Sequence, residues 1–158
     1  RISVQLSNDE TPQFKPHVKE NISVTLNAQQ NGIKGYYSGG TLASEAAMLV
    51  KDTLGDDSTD ATPEGYSYKG GNHEIIDLGD DIYTQGRPHP MIDPSKRIEM
   101  LETSSADPST AVIMLDNVIG YGSHDDMANE LAPTIKNILQ KVKEEGRSLA
   151  VLATVVGT

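Results

Sequence analysis

Apolar and polar positions form blocks along most of the chain, and the blocks follow a strand-then-helix order. Short apolar runs of strand length are each followed by a longer segment with helical spacing. The predicted strands are Ile33–Tyr37, Glu74–Leu78, Ala111–Leu115 and Ser148–Val156, and the predicted helices are Thr41–Thr53, Pro94–Thr103 and Met127–Glu145. This alternation predicts an α/β fold, with a parallel sheet and helices on both of its faces.

Local signals sharpen the boundaries of these elements. The fully apolar run Ala111–Leu115 is typical of a strand that is buried on both faces. Asp93 is a good N-cap for the second helix, with Pro94 at the favoured first helical position. Pro133 predicts either a kink in the third helix or the point where its regular part begins.

Other segments lack such periodicity. We expect Gly55–Gly71, rich in Asp, Ser, Thr, Pro and Gly, and Gly79–Pro94 to be long polar loops. The alternation over Ile2–Leu6 fits a strand, and Val18, Ile22 and Leu26 fit one helix face. We therefore predict an N-terminal extension at residues 1–32 and an α/β domain at residues 33–158.

Composition narrows the class of protein. The 158 residues suit one domain, and the absence of cysteine excludes disulfide scaffolds and thiolate metal sites. Lys and Arg number 13 against 23 Asp and Glu, a net charge of −10, which argues against nucleic acid or an anionic membrane as partner. No apolar run approaches the ~18 residues of a membrane span. We expect a cytoplasmic protein.

Ligands of an open parallel sheet bind outside the carboxyl ends of its strands, which directs attention to three loops. The first is Ser38-Gly39-Gly40-Thr41, where two glycines allow close backbone approach before a helix N-terminus. This pattern predicts an anion site that would take phosphate or sulfate. The alternative is a tight strand-to-helix turn with Thr41 as the cap.

The second loop carries the most reactive side chains. Arg87 can clamp a carboxylate or a phosphate through two parallel hydrogen bonds. His89 lies between two prolines, and a rigidly held imidazole suits acid–base work. The alternative for His89 is an ordinary hydrogen-bonded loop histidine. Asp80 and Asp81 predict either a cation site or a solvated loop.

The third loop follows the strand that is predicted to be most deeply buried. Asp116 ends that strand, which favours a carboxylate placed in a cleft. Gly120 permits close approach of the backbone to a ligand. The run His124–Asp126 offers metal-ligating groups, but capping of the helix at Met127 is the favoured interpretation.

These loops carry a resemblance to a known family. The stretches that carry it are Gly35–Ala46, His73–Asp81, Tyr83–Pro94 and Val112–Gly122. They resemble segments of FdrA-type proteins, and the string Gly86-Arg87-Pro88-His89-Pro90-Met91-Ile92-Asp93-Pro94 is highly specific. FdrA-type proteins are similar to the CoA-binding subunit of succinyl-CoA synthetase and related NDP-forming acyl-CoA synthetases. The resemblance implies a CoA-ligase domain with a flavodoxin-like fold.

The resemblance also implies ligands and partners. In the synthetase, the helix that begins at the segment resembling Ser38–Thr41 receives the phosphate of a phosphohistidine. CoA and a nucleotide are expected with the full-length protein, and none with this chain alone. The expected partners are an upstream CoA-binding domain of the same polypeptide, further subunits and a small anionic substrate. The start at Arg1 agrees with a fragment of a longer protein.

Two departures from the synthetase pattern keep several functions open. Asn117 stands where the synthetase motif has a glutamate, and the chain ends at Thr158 before the phosphohistidine loop. The leading hypothesis is an acyl-CoA-synthetase-like domain, with His89, Arg87 and Asp116 as catalytic candidates. The alternatives are a subunit of a complex that moves a carbamoyl group between oxamate and phosphate in anaerobic allantoin breakdown, and a non-catalytic assembly module.

Overall fold

The computed structural model describes residues 24–56 and 61–157, which fold around a five-stranded sheet. The strands are β1 (Gly32–Tyr37), β2 (Tyr66–Gly70), β3 (His73–Asp77), β4 (Thr110–Ile119) and β5 (Ala150–Gly157). The helices are α1 (Gly40–Leu54), α2 (Asp81–Thr84), α3 (Ser95–Ala106) and α4 (Met127–Glu144). The sheet order is β2-β3-β1-β4-β5, and every neighbouring pair is parallel except β2 and β3. The predicted α/β fold is confirmed.

Helices cover both faces of the sheet, as the alternation predicts. On one face, the small buried side chains of α1 (Ala43, Ala46, Ala47 and Val50) pack with Ile75 and Tyr68. On the other face, α3 and α4 bury a larger apolar cluster against the central strands, with members that include Leu101, Leu131, Ile138, Val142, Ile76 and Ile113. The result is a three-layer arrangement, so the central strands are buried on both sides.

Two predicted loops contain regular structure. The Gly55–Gly71 prediction is wrong over Tyr66–Gly70, which pairs antiparallel with β3. Tyr68 is buried on this edge strand while its neighbour Lys69 is exposed, so a polar sequence still supplies one apolar face. Gly71 adopts a positive φ of 55° in the tight turn between the two strands. The predicted loop Gly79–Pro94 contains the short helix α2.

Helix and strand ends differ in detail from the expectations. Helix α3 begins at Ser95 with Pro94 at the N-cap position, so the prediction of Asp93 as the N-cap and Pro94 as the first helical residue is wrong by one position. The Asp93 carboxylate still accepts a hydrogen bond from the Ser95 N–H at 2.7 Å. Pro133 lies six residues inside α4 on an exposed position, so it does not mark the start of that helix. Strand β4 continues four residues past Leu115 because β5 pairs with it over that length.

The predictions for Ile2–Leu6 and for residues 18–23 lie outside the described residues, and residues 24–31 contain neither helix nor strand. No helix within residues 24–56 and 61–157 has the length and apolar character needed to span a bilayer.

Candidate functional site

The register of the parallel strands brings three polar side chains to one edge of the sheet. Tyr37 of β1 lies opposite Asp77 of β3. Tyr36 lies opposite Leu115 of β4, so Asp116 comes level with the end of β1. Ser38, which follows β1 directly, therefore lies between the carboxylates of Asp77 and Asp116. This is the carboxyl edge at which sequence reasoning places the ligand.

A buried ion pair fixes the end of β1. Ser38, Arg97 and Asp116 are each about 1% exposed. Asp116 accepts hydrogen bonds from the Ser38 N–H at 3.0 Å and from the Ser38 hydroxyl at 2.7 Å. Arg97 of α3 lies 3.0 Å from the same carboxylate and donates to the Asp116 carbonyl. Burial lowers the pKa of Arg97, and the charge of Asp116 opposes that fall.

These contacts engage both carboxylate oxygens of Asp116. A carboxylate that already accepts from a guanidinium, an amide and a hydroxyl has few lone pairs left for contact with a substrate. The geometry instead makes Asp116 and Arg97 a brace that holds Ser38 and the turn after it. The Ser38 hydroxyl donates inward to this brace, so the donors left for a ligand at this turn are backbone N–H groups.

The N-terminus of α1 carries those donors. Gly39 occupies the N-cap position with φ −167° and ψ 153°, and no side-chain hydrogen bond caps the helix. Thr41 lies inside the first turn, so the alternative in which Thr41 caps the helix is wrong. Gly40 and Thr41 are exposed to solvent. The N–H groups of a first helical turn lack intrahelical acceptors and sit at the positive end of the helix dipole, so this turn suits an oxyanion.

Asp77 borders this turn, and sequence reasoning did not single it out. A methyl group added at Gly40 would lie 3.0 Å from an Asp77 carboxylate oxygen. Burial raises the pKa of Asp77, and the charges of Asp80 and Asp116 add to the rise, while the N–H of Gly79 and the charge of His89 oppose it. A carboxylate so close to the N-terminus of α1 competes with an incoming anion for the positive end of the helix dipole.

His89 approaches the same edge from the second loop. Its Nδ1 accepts a hydrogen bond from the Met91 N–H at 3.2 Å. A methyl group added at Gly79 would lie 2.9 Å from His89 Nε2 and 2.7 Å from the Ser38 carbonyl oxygen. The structure therefore brings His89, Ser38 and Asp77 together around Gly79, where no larger residue would fit.

Arg87 takes a different position. It is exposed and lines a cavity of 210 Å³ together with Leu78, Tyr83 and Lys96. Neither His89 nor Asp116 is among the lining residues of that cavity. Leu78 joins the two places, because it follows Asp77 in the chain and its N–H donates to the Tyr37 carbonyl at 2.8 Å. The predicted catalytic set is thus divided between two adjoining regions.

Gly120 lies further from the edge than predicted. It adopts a positive φ of 130°, four residues beyond Asp116, and directly follows the part of β4 that pairs only with β5. At 3.3 Å per residue this is roughly 13 Å along the strand. The structure does not bring Gly120 to the Ser38–Thr41 turn. Its carbonyl accepts hydrogen bonds from Ser123, within a turn of the loop's own backbone.

The acidic residues of the loops act as helix caps. Asp126 accepts from the Asn129 N–H at the start of α4, which confirms the capping interpretation of the third loop. Asp80 accepts from the Ile82 N–H at the start of α2. The loops also contact each other, since the N–H of His124 donates to the Met91 carbonyl at 2.8 Å. This contact braces the loop that presents His89.

Sequence reasoning missed Asp77 and Arg97, although both left a signal. Asp77 ends a predicted strand just as Asp116 does, so the same positional argument applied to it. Arg97 lies on the buried stripe of α3 with Leu101 and Ser104, at the i, i+4 and i+7 positions. A lone cation on an apolar helix face requires a buried partner, and the strand-end carboxylates were the available ones.

Comparisons with known proteins identify the family and are consistent with the α/β fold. Residues 36–158 match the model of the family described as CoA-ligase. The chain is 40% identical over 142 residues to the uncharacterized protein YahF of Escherichia coli strain K12. That match covers 87% of this chain and 28% of YahF, so the chain spans little more than a quarter of this curated relative.

Proposed function

The chain belongs to the CoA-ligase family, and on that premise we propose that it is the CoA-ligase domain of an FdrA-type, acyl-CoA-synthetase-like protein. The proposed role of the domain is to hold an anionic phosphoryl or acyl group at the carboxyl edge of its sheet. The Gly40–Leu42 backbone N–H groups bind the anion. CoA and a nucleotide belong to the full-length protein, and no residue of this chain is assigned to them.

The observation that carries the proposal is the uncapped N-terminus of α1. Natural helices that begin near buried groups are usually capped by Ser, Thr, Asp or Asn, because free N–H groups need acceptors. Here the cap is Gly39, and the turn before it is held by a fully buried brace of Ser38, Asp116 and Arg97. A rigid turn with exposed donors is the arrangement that electrostatic stabilisation of an oxyanion requires.

His89 supplies a hydrogen-bond donor in this proposal. Because its Nδ1 accepts the Met91 N–H, the neutral imidazole carries its proton on Nε2. That nitrogen faces Gly79 and the end of β1. The Nε2–H can donate a hydrogen bond to an oxygen of a group that is bound at Gly40–Leu42. Asp116 acts as a positioning residue and not as a general base, since its oxygens are already engaged.

The anion site can be tested by a substitution that fills it. A side chain at Gly39 meets nothing within 4 Å, and its φ is extended, so Gly39→Asp is tolerated sterically. The new carboxylate should cap α1 and raise the free energy of unfolding by about 1 kcal/mol. It should also abolish phosphate binding, measured as the change in the amide resonances of Gly40, Thr41 and Leu42 on titration with inorganic phosphate.

Gly39→Ala is the matched control, because it adds a side chain without an acceptor or a charge. It should keep the phosphate response and should not stabilise the helix. If phosphate leaves the amides of Gly40–Leu42 of the wild-type chain unmoved, the anion site is refuted. If Gly39→Asp stabilises the chain and phosphate still binds there, the N-terminal donors are not the binding groups.

The carbamoyl-transfer and assembly interpretations stay predictions, and the same variant separates them in the full-length protein. Under the leading proposal, Gly39→Asp should lower CoA-dependent ligation. Under the carbamoyl-transfer interpretation it should lower phosphate-dependent cleavage of carbamoyl oxamate instead. If the domain only assembles subunits, both reactions should keep their rates, while substitutions in the loop 87–93 should weaken subunit association.

A further inference from the structure

Asp77 and Asp116 both border the start of α1 at the carboxyl edge of the sheet, but their charges are held differently. Asp116 is fully buried, and its charge is balanced by the ion pair with Arg97. Asp77 is only partly buried, and its Oδ1 accepts the Gly79 N–H at 2.9 Å. Its Oδ2 is the oxygen that a methyl group at Gly40 would meet at 3.0 Å. The Asp77 charge therefore faces the first turn of α1, where the proposed function places an anion.

The surroundings of Asp77 disfavour its charge. Burial raises the pKa of Asp77, and the like charges of Asp80 and Asp116 add to the rise, while the Gly79 N–H and the charge of His89 oppose it. The elements packed against Asp77 carry these ionisable side chains near the carboxyl edge: Tyr37 on β1, Glu45 on α1, Tyr66 on β2, Asp80 before α2, His89 in the loop after α2, Arg97 on α3 and Asp116 on β4. Protonation of Asp77 is therefore easier than that of an exposed aspartate.

We infer that Asp77 is a specificity-determining residue, which shifts the preference of the anion site from doubly to singly charged oxyanions while it is ionised and loses this effect when it is protonated. The repulsion between two charges scales with their product, so a dianion at the start of α1 meets twice the repulsion that a monoanion meets there. Asp77 thus narrows the ligand class by charge. It favours an oxyanion with one charge, such as a phosphate diester, over one with two charges, such as a free phosphate dianion.

The same geometry links binding of a dianion to a proton. Asp77 is ionised above its folded-state pKa, so the repulsion is fully present at neutral pH and disappears as the pH falls through that pKa. The affinity for a dianion should therefore rise with acidity, and its binding should favour uptake of a proton by Asp77. This inference rests on the proposed function, because it needs an anion at the first turn of α1.

The test is a titration of the chain with sulfate and with methyl sulfate, followed through the amide resonances of Gly40, Thr41 and Leu42 between about pH 7 and about pH 4.5. The two ions share one tetrahedral group and keep two charges and one charge over this range, so any pH dependence arises in the protein. As the pH falls, the affinity of the wild-type chain should rise by up to about fivefold for sulfate and about twofold for methyl sulfate.

Three variants assign the effect to its residue. Asp77→Asn should show the same gains already at pH 7, and its affinities should then stay constant with pH. In His89→Asn both ions should bind more weakly because the Nε2–H donor is lost, but the rise with acidity should persist. Asp125→Asn, at an exposed acid of the β4–α4 loop, is the matched control and should follow the wild-type chain.

Each outcome decides for or against the role of Asp77. Equal sulfate affinities of the wild-type chain and Asp77→Asn at pH 7 overturn it, and so do equal gains for sulfate and methyl sulfate. A rise with acidity that Asp77→Asn retains, or that His89→Asn loses, also overturns it. All of these results leave the proposed function standing, because the ions still bind at α1. If neither ion moves the amides of Gly40–Leu42 at any pH, the anion site is refuted and this inference falls with it.

Discussion

The two ends of the parallel sheet each bury charged side chains, but they use them differently. At the amino end, the Glu74 carboxylate accepts hydrogen bonds from Lys69 at 2.7 Å and from the Tyr36 hydroxyl at 2.9 Å. Lys34 lies 3.8 Å from Glu74 and 3.6 Å from Asp107. These charges neutralise one another across adjacent strands.

At the carboxyl end, the charged pair holds backbone instead. Arg97 and Asp116 form one ion pair, and the remaining capacity of Asp116 goes to the N–H and hydroxyl of Ser38. The brace fixes the turn at Gly39, so the first N–H groups of α1 face solvent without a cap. The comparison teaches that burial of charge alone does not mark a site. A site is marked where the buried charge orients groups that remain unpartnered.

The largest expected effect comes from breaking the carboxyl-end pair. Arg97→Met should leave Asp116 as a buried, uncompensated charge and should lower the free energy of unfolding by about 3–5 kcal/mol. The Ser38 turn should loosen with it, so phosphate should no longer move the Gly40–Leu42 amides. Chemical denaturation and the phosphate titration measure the two effects.

The double variant Arg97→Met/Asp116→Asn is the matched control, because it removes both charges. It should recover part of the lost stability, as replacement of a buried pair often does. It should not recover phosphate binding if the carboxylate is what orders the turn. If Arg97→Met is as stable as the wild-type chain, Arg97 and Asp116 do not act as the proposed brace.

The amino-end cluster should respond mainly in stability. Glu74→Gln should cost about 1–3 kcal/mol at pH 7, since the neutral amide keeps one of the two acceptor oxygens that bind Lys69 and Tyr36 and loses the charge of both bonds. Burial would raise the pKa of Glu74, but those hydrogen bonds and the charge of Lys34 outweigh it and lower the pKa below 4.5. A lowered pKa contributes stability above pH 4.5 that is lost as the pH falls through the folded-state value.

The wild-type chain should therefore lose stability below pH 4.5 more steeply than Glu74→Gln does. Phosphate binding at the N-terminus of α1 should be the same in the wild-type chain and in Glu74→Gln, because the Glu74 cluster lies at the opposite end of the strands. Glu99→Gln is a control at an exposed acid, where the effect on the free energy of unfolding should stay within about 0.5 kcal/mol. Parallel pH profiles for wild type and Glu74→Gln would contradict the assignment.

Much of the fold could be predicted from the sequence, since it depends on local periodicity. The apolar runs that precede α1, α3 and α4 predict the parallel strands, and the glycine pair at Gly39 and Gly40 predicts the turn between β1 and α1. Strand β2 was missed because it lies at the sheet edge, where two tyrosines, Tyr66 and Tyr68, are enough to anchor an otherwise polar segment. Its pairing with β3 depends on a neighbour in space, which periodicity does not report.

The location of the candidate site could be predicted from the sequence, but the roles of its residues could be predicted less well. The rule of carboxyl strand ends located Ser38, His89 and Asp116 at one edge. The role of Asp116 depends on its ion pair with Arg97, which lies nineteen residues away in the sequence and is buried on helix α3. The sequence pattern does not show that these two residues form a pair, so it leaves the role of Asp116 undetermined. Arg87 was chosen for its chemistry alone, and the structure places it at a cavity whose lining does not include His89.

The smallest expected effect is that of Asp77→Asn. This variant tests whether the charge of Asp77 weakens anion binding at the carboxyl end. Asp77 borders the donors of α1 on the side of Gly40, so its charge should weaken anion binding. Removing the charge should tighten phosphate binding about fivefold, because one unit charge at close range in a solvent-exposed setting is worth about 1 kcal/mol. The asparagine oxygen can still accept the Gly79 N–H that Asp77 accepts at 2.9 Å, so the turn should keep its shape.

Asp77→Asn should also raise the free energy of unfolding, by less than about 1 kcal/mol. Burial raises the pKa of Asp77 above 3.8, so the ionised form carries a penalty above the folded-state pKa, and the penalty is relieved as the pH falls through it. Asp77→Asn should lack that pH dependence. Asp125→Asn, at an exposed acid of the β4–α4 loop, is the control and should leave phosphate affinity unchanged. Weaker phosphate binding in Asp77→Asn would mean that the Asp77 carboxylate orders the turn at the carboxyl end and does not compete with the ligand.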